Sequence, residues 1–156
     1  MYKLFVAIFF SVILFACKKE NSCDYDPCGY VAPSAEIQAV QSYLTTNSIV
    51  ATQHCSGLFY KIESAGNGKN ATPCSYVGVR YKGMLTNGTV FDNPPSAVSF
   101  NLGGLITAWK NALPLIASGG RIILYVPPSL GYGNQAVGSI PANSILIFEI
   151  DLVAVQ

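Results

Sequence analysis

Alternation of apolar and polar residues from Gly57 onward is the feature that most limits the folds open to this chain. The segments GLFYKIES and YVGVRYKGML alternate with a period of two, and RIILYV and SILIFEIDLVAV are longer apolar runs. A period of two places successive side chains on opposite faces of a strand, so these segments predict an antiparallel sheet. The apolar face of such a sheet must be covered by another layer of structure.

One helix is predicted between these strands, beginning near Ile106 and carrying Trp109 and Leu113. Pro114 must end or distort it, because proline has no N–H to donate within a helix. The glycine pair at 119–120 then turns the chain back. A single short helix in a mostly antiparallel sheet predicts an α+β domain in which the sheet wraps its one apolar face around that helix.

A second, N-terminal helix is predicted from Ser34 to Thr46, with Ser34 at its start. Its apolar residues recur at helical spacing and are Ile37, Val40, Tyr43 and Leu44. We expect this stripe to dock on the helix's own domain, the alternative being a partner protein. The 156 residues are enough for one domain of ordinary size.

The first residues have the pattern of an export signal. Lys3 precedes the apolar run Leu4 to Ala16, which is too short for a permanent membrane span but suits a secretory signal. The stretch LFAC resembles a bacterial lipobox, which implies cleavage before Cys17 and a diacylglyceryl group on its thiol. Lys18 after that cysteine resembles lipoproteins sent on to the outer membrane. The alternative is a plain signal peptide cut elsewhere.

Export changes the interpretation of the remaining cysteines, Cys23, Cys28, Cys55 and Cys74. In an oxidising compartment they would pair, and four cysteines allow three connectivities among which the sequence cannot choose; 23 with 28 is mildly favoured. The sole histidine, His54, adjoins Cys55, and side chains of successive residues on an extended strand point apart. The pattern therefore argues against a Cys-His nucleophile and against a metal site.

Charge gives a further exclusion. Charged residues make up 11% of the chain, the formal net charge is +1, and the basic residues are scattered. No surface that follows a phosphate backbone is indicated, so nucleic acid is excluded as a partner.

A β-hairpin is predicted around Asn87-Gly88, a pair that suits a two-residue type I′ turn. With a turn of that length, Leu85 faces Val90 and Gly83 faces Asp92. The strand after the turn therefore brings a carboxylate opposite a position that has no side chain.

On this hairpin the Asp92 carboxylate shares a face with Tyr81, and the space left at Gly83 would let the Tyr81 hydroxyl reach it. For Phe91 to join the same face, the strand must bulge or end there. Pro94-Pro95 suits only an edge or a loop, which also predicts an irregular strand end.

Three further stretches concentrate unusual residues: LGGLITAW, PPSLGYGN and SIPANSILIFEI. Together with SGLFYKI and VGVRYKGMLTNGTVFDN, they stand in the order found in the FKBP-type peptidyl-prolyl isomerases. The chain resembles that family from about Ser56 to Val155 without a break. The resemblance implies a sheet wrapped around one helix, and the upstream helix and tether look like those of secreted bacterial members.

The resemblance also implies a shallow hydrophobic pocket with Trp109 as its floor. The residues implied for catalysis are Tyr81, Phe91, Asp92, Ile106 through its N–H, Trp109, Tyr132 through its hydroxyl, and Phe148. The residues implied for substrate binding are Val98, Leu105 and Ile140. No cofactor and no metal are implied.

The sequence departs from the family pattern around this pocket. The segment NPPSA after Asp92 lacks the arginine that commonly supports the acid, and Val98 stands where many members carry an aromatic wall. The approach GGLI is short and has no acidic residue, and the loop after Tyr132 is short and has no histidine. These differences bear on substrate preference and on affinity for macrolides.

The expected function is a peptidyl-prolyl cis-trans isomerase that assists exported proteins, with proline-containing polypeptides as substrates and a macrolide as an expected inhibitor. The alternative is a catalytically weak chaperone or binding module that has kept the fold and the cleft. A structural or carbohydrate-binding domain has little support, because no aromatic platform stands apart from the pocket.

The expected organisation follows from these elements. It comprises a signal peptide over 1–16, lipidated Cys17 and a flexible tether over 17–33, a helical extension over 34–52, and the isomerase domain over 53–156. The lipid would anchor the exported protein in the bacterial envelope, at the outer membrane, on its periplasmic or its surface face.

Overall fold

The structure is a computed structural model and describes residues 23–156. The predicted signal peptide, Cys17 and the first part of the predicted tether lie outside the described residues. Within 23–156, no helix combines the length and the apolar character needed to cross a bilayer.

The described chain contains seven strands, two α-helices and three short 3₁₀ turns. The helices are α1 (Ser34–Thr46) and α2 (Thr107–Ala112), and the strands are β1 (Thr52–Gln53), β2 (Phe59–Ser64), β3 (Tyr76–Leu85), β4 (Val90–Asp92), β5 (Val98–Asn101), β6 (Gly120–Val126) and β7 (Leu146–Val155). All strand pairs are antiparallel, in the order β1-β2-β6-β7-β3-β4, and β5 also pairs with β3. The predicted α+β class with an antiparallel sheet is confirmed.

The central helix α2 packs on one face of the sheet. Trp109 is only 4% exposed and Leu113 is fully buried, so the helix presents its apolar side to the core. A 3₁₀ turn at Leu113–Leu115 contains Pro114 and ends the helix as predicted. Gly119 then reverses the chain with φ of +85°, a value that glycine adopts without strain.

The opposite face of the sheet is also partly apolar, which differs from the expectation of one apolar face. Phe59 pairs with Tyr125, and Tyr125 pairs with Ile147, so three strands place one apolar row across this face. Helix α1 covers the row with Val40 and Leu44, which are 0% and 2% exposed. The prediction that α1 docks on its own domain is confirmed.

The expected flexible tether is wrong for residues 23–33. Disulfides join Cys23 to Cys74 and Cys28 to Cys55, so the mildly favoured 23–28 pairing is also wrong. The physical reason is that Cys23 and Cys28 each lie next to a cysteine of the domain, with Cα atoms 5.8 and 5.5 Å apart, a separation that a disulfide spans.

The Tyr25 side chain, which lies between Cys23 and Cys28 in the sequence, also contacts α2. The Tyr25 hydroxyl donates to Asn111 Oδ1 at 2.6 Å, and Lys110 Nζ lies 5.2 Å from the centre of the Tyr25 ring. Asn111 is 2% exposed, so this hydrogen bond satisfies a buried acceptor. The segment therefore forms part of the folded domain.

Candidate active site

A cavity of about 310 Å³ opens between α2, β4 and the loops that follow β6. All the residues that the resemblance implied for catalysis line it, namely Tyr81, Phe91, Asp92, Ile106, Trp109, Tyr132 and Phe148. Leu105 and Ile140 line it as well. The structure thus brings these residues together in one open hollow of the size that small ligands occupy.

Val98 does not line the cavity, and Phe100 lines it instead. β5 begins at Val98, which pairs with Val79, and Phe100 lies two residues further along on the same face of the strand. The centres of the Phe100 and Trp109 rings lie 6.2 Å apart. Phe100 therefore supplies an aromatic side chain at the wall where Val98 was expected.

The segment Val137 to Ser139 also lines the cavity and was missed. Val137 and Ile140 exchange backbone hydrogen bonds of 3.0 and 2.9 Å, which fold the segment into a tight turn. No periodicity marks such a turn in the sequence, so no sequence signal could have found these residues.

The floor of the cavity is an indole surrounded by rings that stand on edge. Tyr81, Phe148 and Phe100 meet Trp109 at interplanar angles of 84°, 90° and 85°. Edge-to-face contacts of this kind are favourable and fix the orientation of each ring. Trp109 Nε1 is buried and has no hydrogen-bond partner among the described residues.

Gly83 pairs with Asp92 as predicted, but the turn that joins the two strands is not the predicted one. Leu85 N–H donates to the Thr89 carbonyl at 2.9 Å, and of the turn pair only Gly88 has a positive φ, so the loop has three residues and the predicted type I′ turn is wrong. The predicted pairing of Leu85 with Val90 is wrong for the same reason.

A bulge at Phe91 restores the register. Met84 pairs with Val90 and Gly83 pairs with Asp92, which leaves Phe91 as the extra residue on β4. The predicted irregularity at this strand end is confirmed. It turns the Phe91 ring toward Phe148, with ring centres 5.6 Å apart.

Gly83 makes room for Phe91 and not, as expected, for the Tyr81 hydroxyl. A Cβ at Gly83 would overlap the Phe91 ring. We expect Gly83→Ala to displace that ring from the cavity wall and to weaken binding of the substrate that the resemblance implies, a proline-containing peptide, by about tenfold, since one wall contact is worth about 1 to 2 kcal/mol. Trp109 fluorescence during titration with a proline-containing peptide measures the change.

Gly78→Ala, on the same strand as Gly83, is the matched control, because a Cβ there would meet the Ala154 Cβ of β7 at an ordinary 3.5 Å. Equal loss of binding in both variants would show that the ring of Phe91 is not the cause.

Asp92 and two tyrosines form the polar edge of the cavity. The Tyr81 hydroxyl donates to Asp92 Oδ2, as predicted. Burial, together with this hydrogen bond, raises the pKa of Tyr81, and burial and the Asp92 charge raise the pKa of Tyr132. Both phenols therefore stay protonated near neutral pH, and since Tyr81 donates its single O–H to Asp92, the Tyr132 hydroxyl is the donor left for a ligand.

The backbone of Ile106 adds a donor at the start of α2. Ile106 precedes Thr107, the first helical residue, and its carbonyl accepts from the Trp109 N–H at 3.0 Å. Within residues 23–156 its own N–H has no hydrogen-bond partner. A free N–H at a helix start, on the wall of a cavity, suits a carbonyl oxygen of a bound peptide.

Cys28, His54 and Cys55 are the cluster that most resembles a metal site in the described part of the chain, with ligand atoms within 4.8 Å of one another. His54 and Cys55 lie in a turn, so their side chains approach to 3.6 Å and do not point apart as expected. The Cys28 and Cys55 sulfurs form a disulfide, so neither is a thiolate that could bind a metal. His54 Nδ1 lies 2.9 Å from Ser56 Oγ, within hydrogen-bonding distance.

Comparison with known proteins adds to this geometry. Residues 67–153 match the family model described as FKBP-type peptidyl-prolyl cis-trans isomerase. FkpA of Buchnera aphidicola from Acyrthosiphon pisum is 46% identical over 103 residues, which is 64% of this chain and 43% of that protein. The chain thus spans less than half the length of that relative.

Two solved structures are similar in fold. The crystal structure of Escherichia coli FkpA superposes with a TM-score of 0.71 at 35% identity, covering 78% of this chain and 60% of the other. A peptidyl-prolyl cis-trans isomerase of Pseudomonas syringae pv. tomato superposes with a TM-score of 0.70 at 28% identity, covering 82% of this chain and 99% of the other.

Proposed function

Because the chain belongs to the FKBP-type peptidyl-prolyl cis-trans isomerases, we propose that its cavity lowers the rotation barrier of X-Pro peptide bonds in other polypeptides. The single observation that carries the proposal is the cavity itself, an open hollow with an indole floor, aromatic walls and a polar edge. The proposed substrates are proline-containing chains, and a macrolide that fills the same hollow is a proposed inhibitor.

The reaction needs no bond to be made or broken. Rotation must cross a barrier of about 18 to 20 kcal/mol, because twisting the amide removes its resonance. A planar amide is strongly dipolar and the twisted amide is less so, so an apolar cavity disfavours the ground state relative to the transition state. Trp109, Phe148 and Phe100 provide that apolar environment.

Positioning accounts for the polar groups. A prolyl ring packed on the Trp109 indole would be held still, while the Ile106 N–H binds the carbonyl that follows the proline. The carbonyl before the proline is then free to rotate. Asp92 accepts the single Tyr81 O–H and so holds that ring in the cavity wall, while the Tyr132 hydroxyl donates to the rotating carbonyl. Asp92 takes no proton, since the rotation transfers none.

The test is cis-trans relaxation of a short X-Pro peptide, followed with and without catalytic amounts of the full chain. The uncatalysed reaction takes tens to hundreds of seconds at 25 °C, so acceleration is directly visible. Saturable acceleration supports the isomerase. Binding of the peptide, seen as a change in Trp109 fluorescence, without acceleration would support the binding module in its place.

We expect Asp92→Ala to lower kcat/KM about 10-fold, because a positioning group contributes less than a proton-transfer group, which is worth about 10² to 10⁴. Tyr81→Phe removes the other partner of the same hydrogen bond and should have a similar effect. The double variant should lose no more than either single variant, because both act as one unit. A loss above a thousandfold in Asp92→Ala would contradict the positioning role.

Export and lipid anchoring are also proposed. The lipobox-like LFAC and the polar residues after it support a lipid on Cys17, and the two disulfides support residence in an oxidising compartment of the bacterial envelope. The outer membrane is the proposed location. Intact mass of the protein from its host tests both features, since it reports the acyl chains and the loss of four thiol hydrogens together.

The proposed organisation keeps the helical extension over 34–52 and the isomerase domain over 53–156. Limited proteolysis with mass spectrometry tests it. Cleavage upstream of Cys23 with the remainder resistant is the expected result, because residues 23–33 are held by disulfides. Rapid cleavage between 34 and 52 would contradict a docked extension.

A further inference from the structure

A backbone hydrogen bond of 2.9 Å from the Gly131 N–H to the Pro128 carbonyl holds the loop just before Tyr132. Tyr132 lies between Gly131 and Gly133, and Gly133 has φ of +63°. Glycine adopts many conformations, so the hydroxyl position depends on contacts made elsewhere in the loop. Pro128 and Leu130 are buried, and the Gly133 N–H donates to the Pro128 carbonyl at 2.8 Å.

A side chain of α1 also holds this loop. The Ser129 N–H donates to Glu36 Oε2 at 2.8 Å, a contact between residues that are 93 positions apart. Because the acceptor is a carboxylate, the bond is stronger than one between neutral groups. Glu36 lies in the first turn of α1, where the helix dipole favours a negative charge.

The helix that carries the Glu36 carboxylate, α1, is packed firmly on the domain. Val40 of α1 is fully buried against the sheet, and a Cβ at Gly57 would overlap the Ile37 side chain, so the helix packs closely on the domain. Just before α1, the Ala32 N–H donates to the Ser56 carbonyl at 2.9 Å. Movement of Glu36 relative to the sheet is therefore restrained on both sides.

We propose that Glu36 is a positioning residue for the cavity, which it does not touch: it fixes the loop after β6 and so places the Tyr132 hydroxyl relative to the Trp109 floor. The inference rests on the proposed function for its catalytic consequence. Glu36 lies outside residues 67–153, the range that matches the family model, so the extension adds a part that this range does not contain.

The test compares Glu36→Ala, Glu36→Gln and Tyr132→Phe in the full chain. We expect Glu36→Ala to lower kcat/KM for an X-Pro peptide about fivefold, through kcat more than through KM, because misplacing one polar group affects the rotating amide more than the bound proline. Glu36→Gln should keep most of the activity, since its amide oxygen still accepts from Ser129. In the Tyr132→Phe background, Glu36→Ala should cause no further loss.

Gln38→Ala is the matched control, an exposed polar residue on the same helix whose replacement should leave kcat/KM unchanged. Amide hydrogen exchange gives a readout that needs no turnover: exchange at Ser129 should speed up in Glu36→Ala and not in Gln38→Ala. Unchanged exchange at Ser129, or losses from Glu36→Ala and Tyr132→Phe that multiply, would overturn the proposal. If the wild-type chain lacked isomerase activity, the exchange result would still decide the role of Glu36.

Discussion

Trp109→Leu is expected to lower kcat/KM for an X-Pro peptide about 100-fold, which corresponds to about 2.7 kcal/mol of transition-state stabilisation. Leucine is apolar but smaller, so it removes the flat surface on which the proline packs and opens the floor to water. Both changes raise the polarity around the rotating amide, which the proposed mechanism requires to be low. Relaxation of the peptide at several enzyme concentrations measures the loss.

A stability control is needed, because Trp109 is only 4% exposed and its truncation also weakens the core. Phe59→Leu replaces a similarly buried ring on the opposite face of the sheet, beneath α1. It should lower the free energy of unfolding by about 1 to 3 kcal/mol without lowering kcat/KM at 25 °C. Equal loss of activity in the two variants would mean that instability, and not the cavity floor, explains the tryptophan result.

Removing the outer disulfide with Cys23→Ser and Cys74→Ser should lower the free energy of unfolding by about 4 kcal/mol, because the bridge spans 51 residues and restricts the unfolded chain. Removing the inner one with Cys28→Ser and Cys55→Ser should cost about 3.5 kcal/mol for its 27-residue span. Denaturant unfolding followed by circular dichroism measures both.

The two losses should not add, because the inner bridge lies within the loop that the outer one closes. Activity of the folded fraction at 25 °C should be retained, since no disulfide residue lines the cavity. A loss below about 0.5 kcal/mol in both pairs would contradict the conclusion that residues 23–33 are tied to the domain.

The sequence predicted one strand pairing of the hairpin correctly but from the wrong turn. The pairing of Gly83 with Asp92 was predicted from a two-residue turn, whereas the structure has a three-residue loop and a bulge at Phe91. Each change shifts the strand by one residue and the shifts cancel. Turn length depends on competing backbone conformations that differ by little energy, so the residue pair Asn87-Gly88 does not decide it.

Contacts between distant segments were the part that sequence patterns could not supply. Cysteine pairing depends on which loops meet in space, and the segment between Cys23 and Cys28 has no periodicity that would show its docking against Asn111. The second apolar face was missed because Phe59, Tyr125 and Ile147 lie on separate strands, and only the strand register brings them into one row.

The cavity wall shows the same limit on a smaller scale. Val98 was assigned to the wall through the resemblance, yet Phe100 occupies it. A shift of two residues along a strand keeps the side chain on the same face, so the pattern alone cannot distinguish the two positions.

The central claim is that the cavity accelerates rotation through its apolar environment and positioning, with no proton transferred. The most direct measurement is kcat/KM for one X-Pro peptide in H₂O and in D₂O, with the uncatalysed rate measured in both. We predict the same acceleration over the uncatalysed reaction in the two solvents, because no O–H or N–H bond breaks during the twist. A clearly smaller acceleration in D₂O would place a proton transfer in the rate-limiting step and contradict the account.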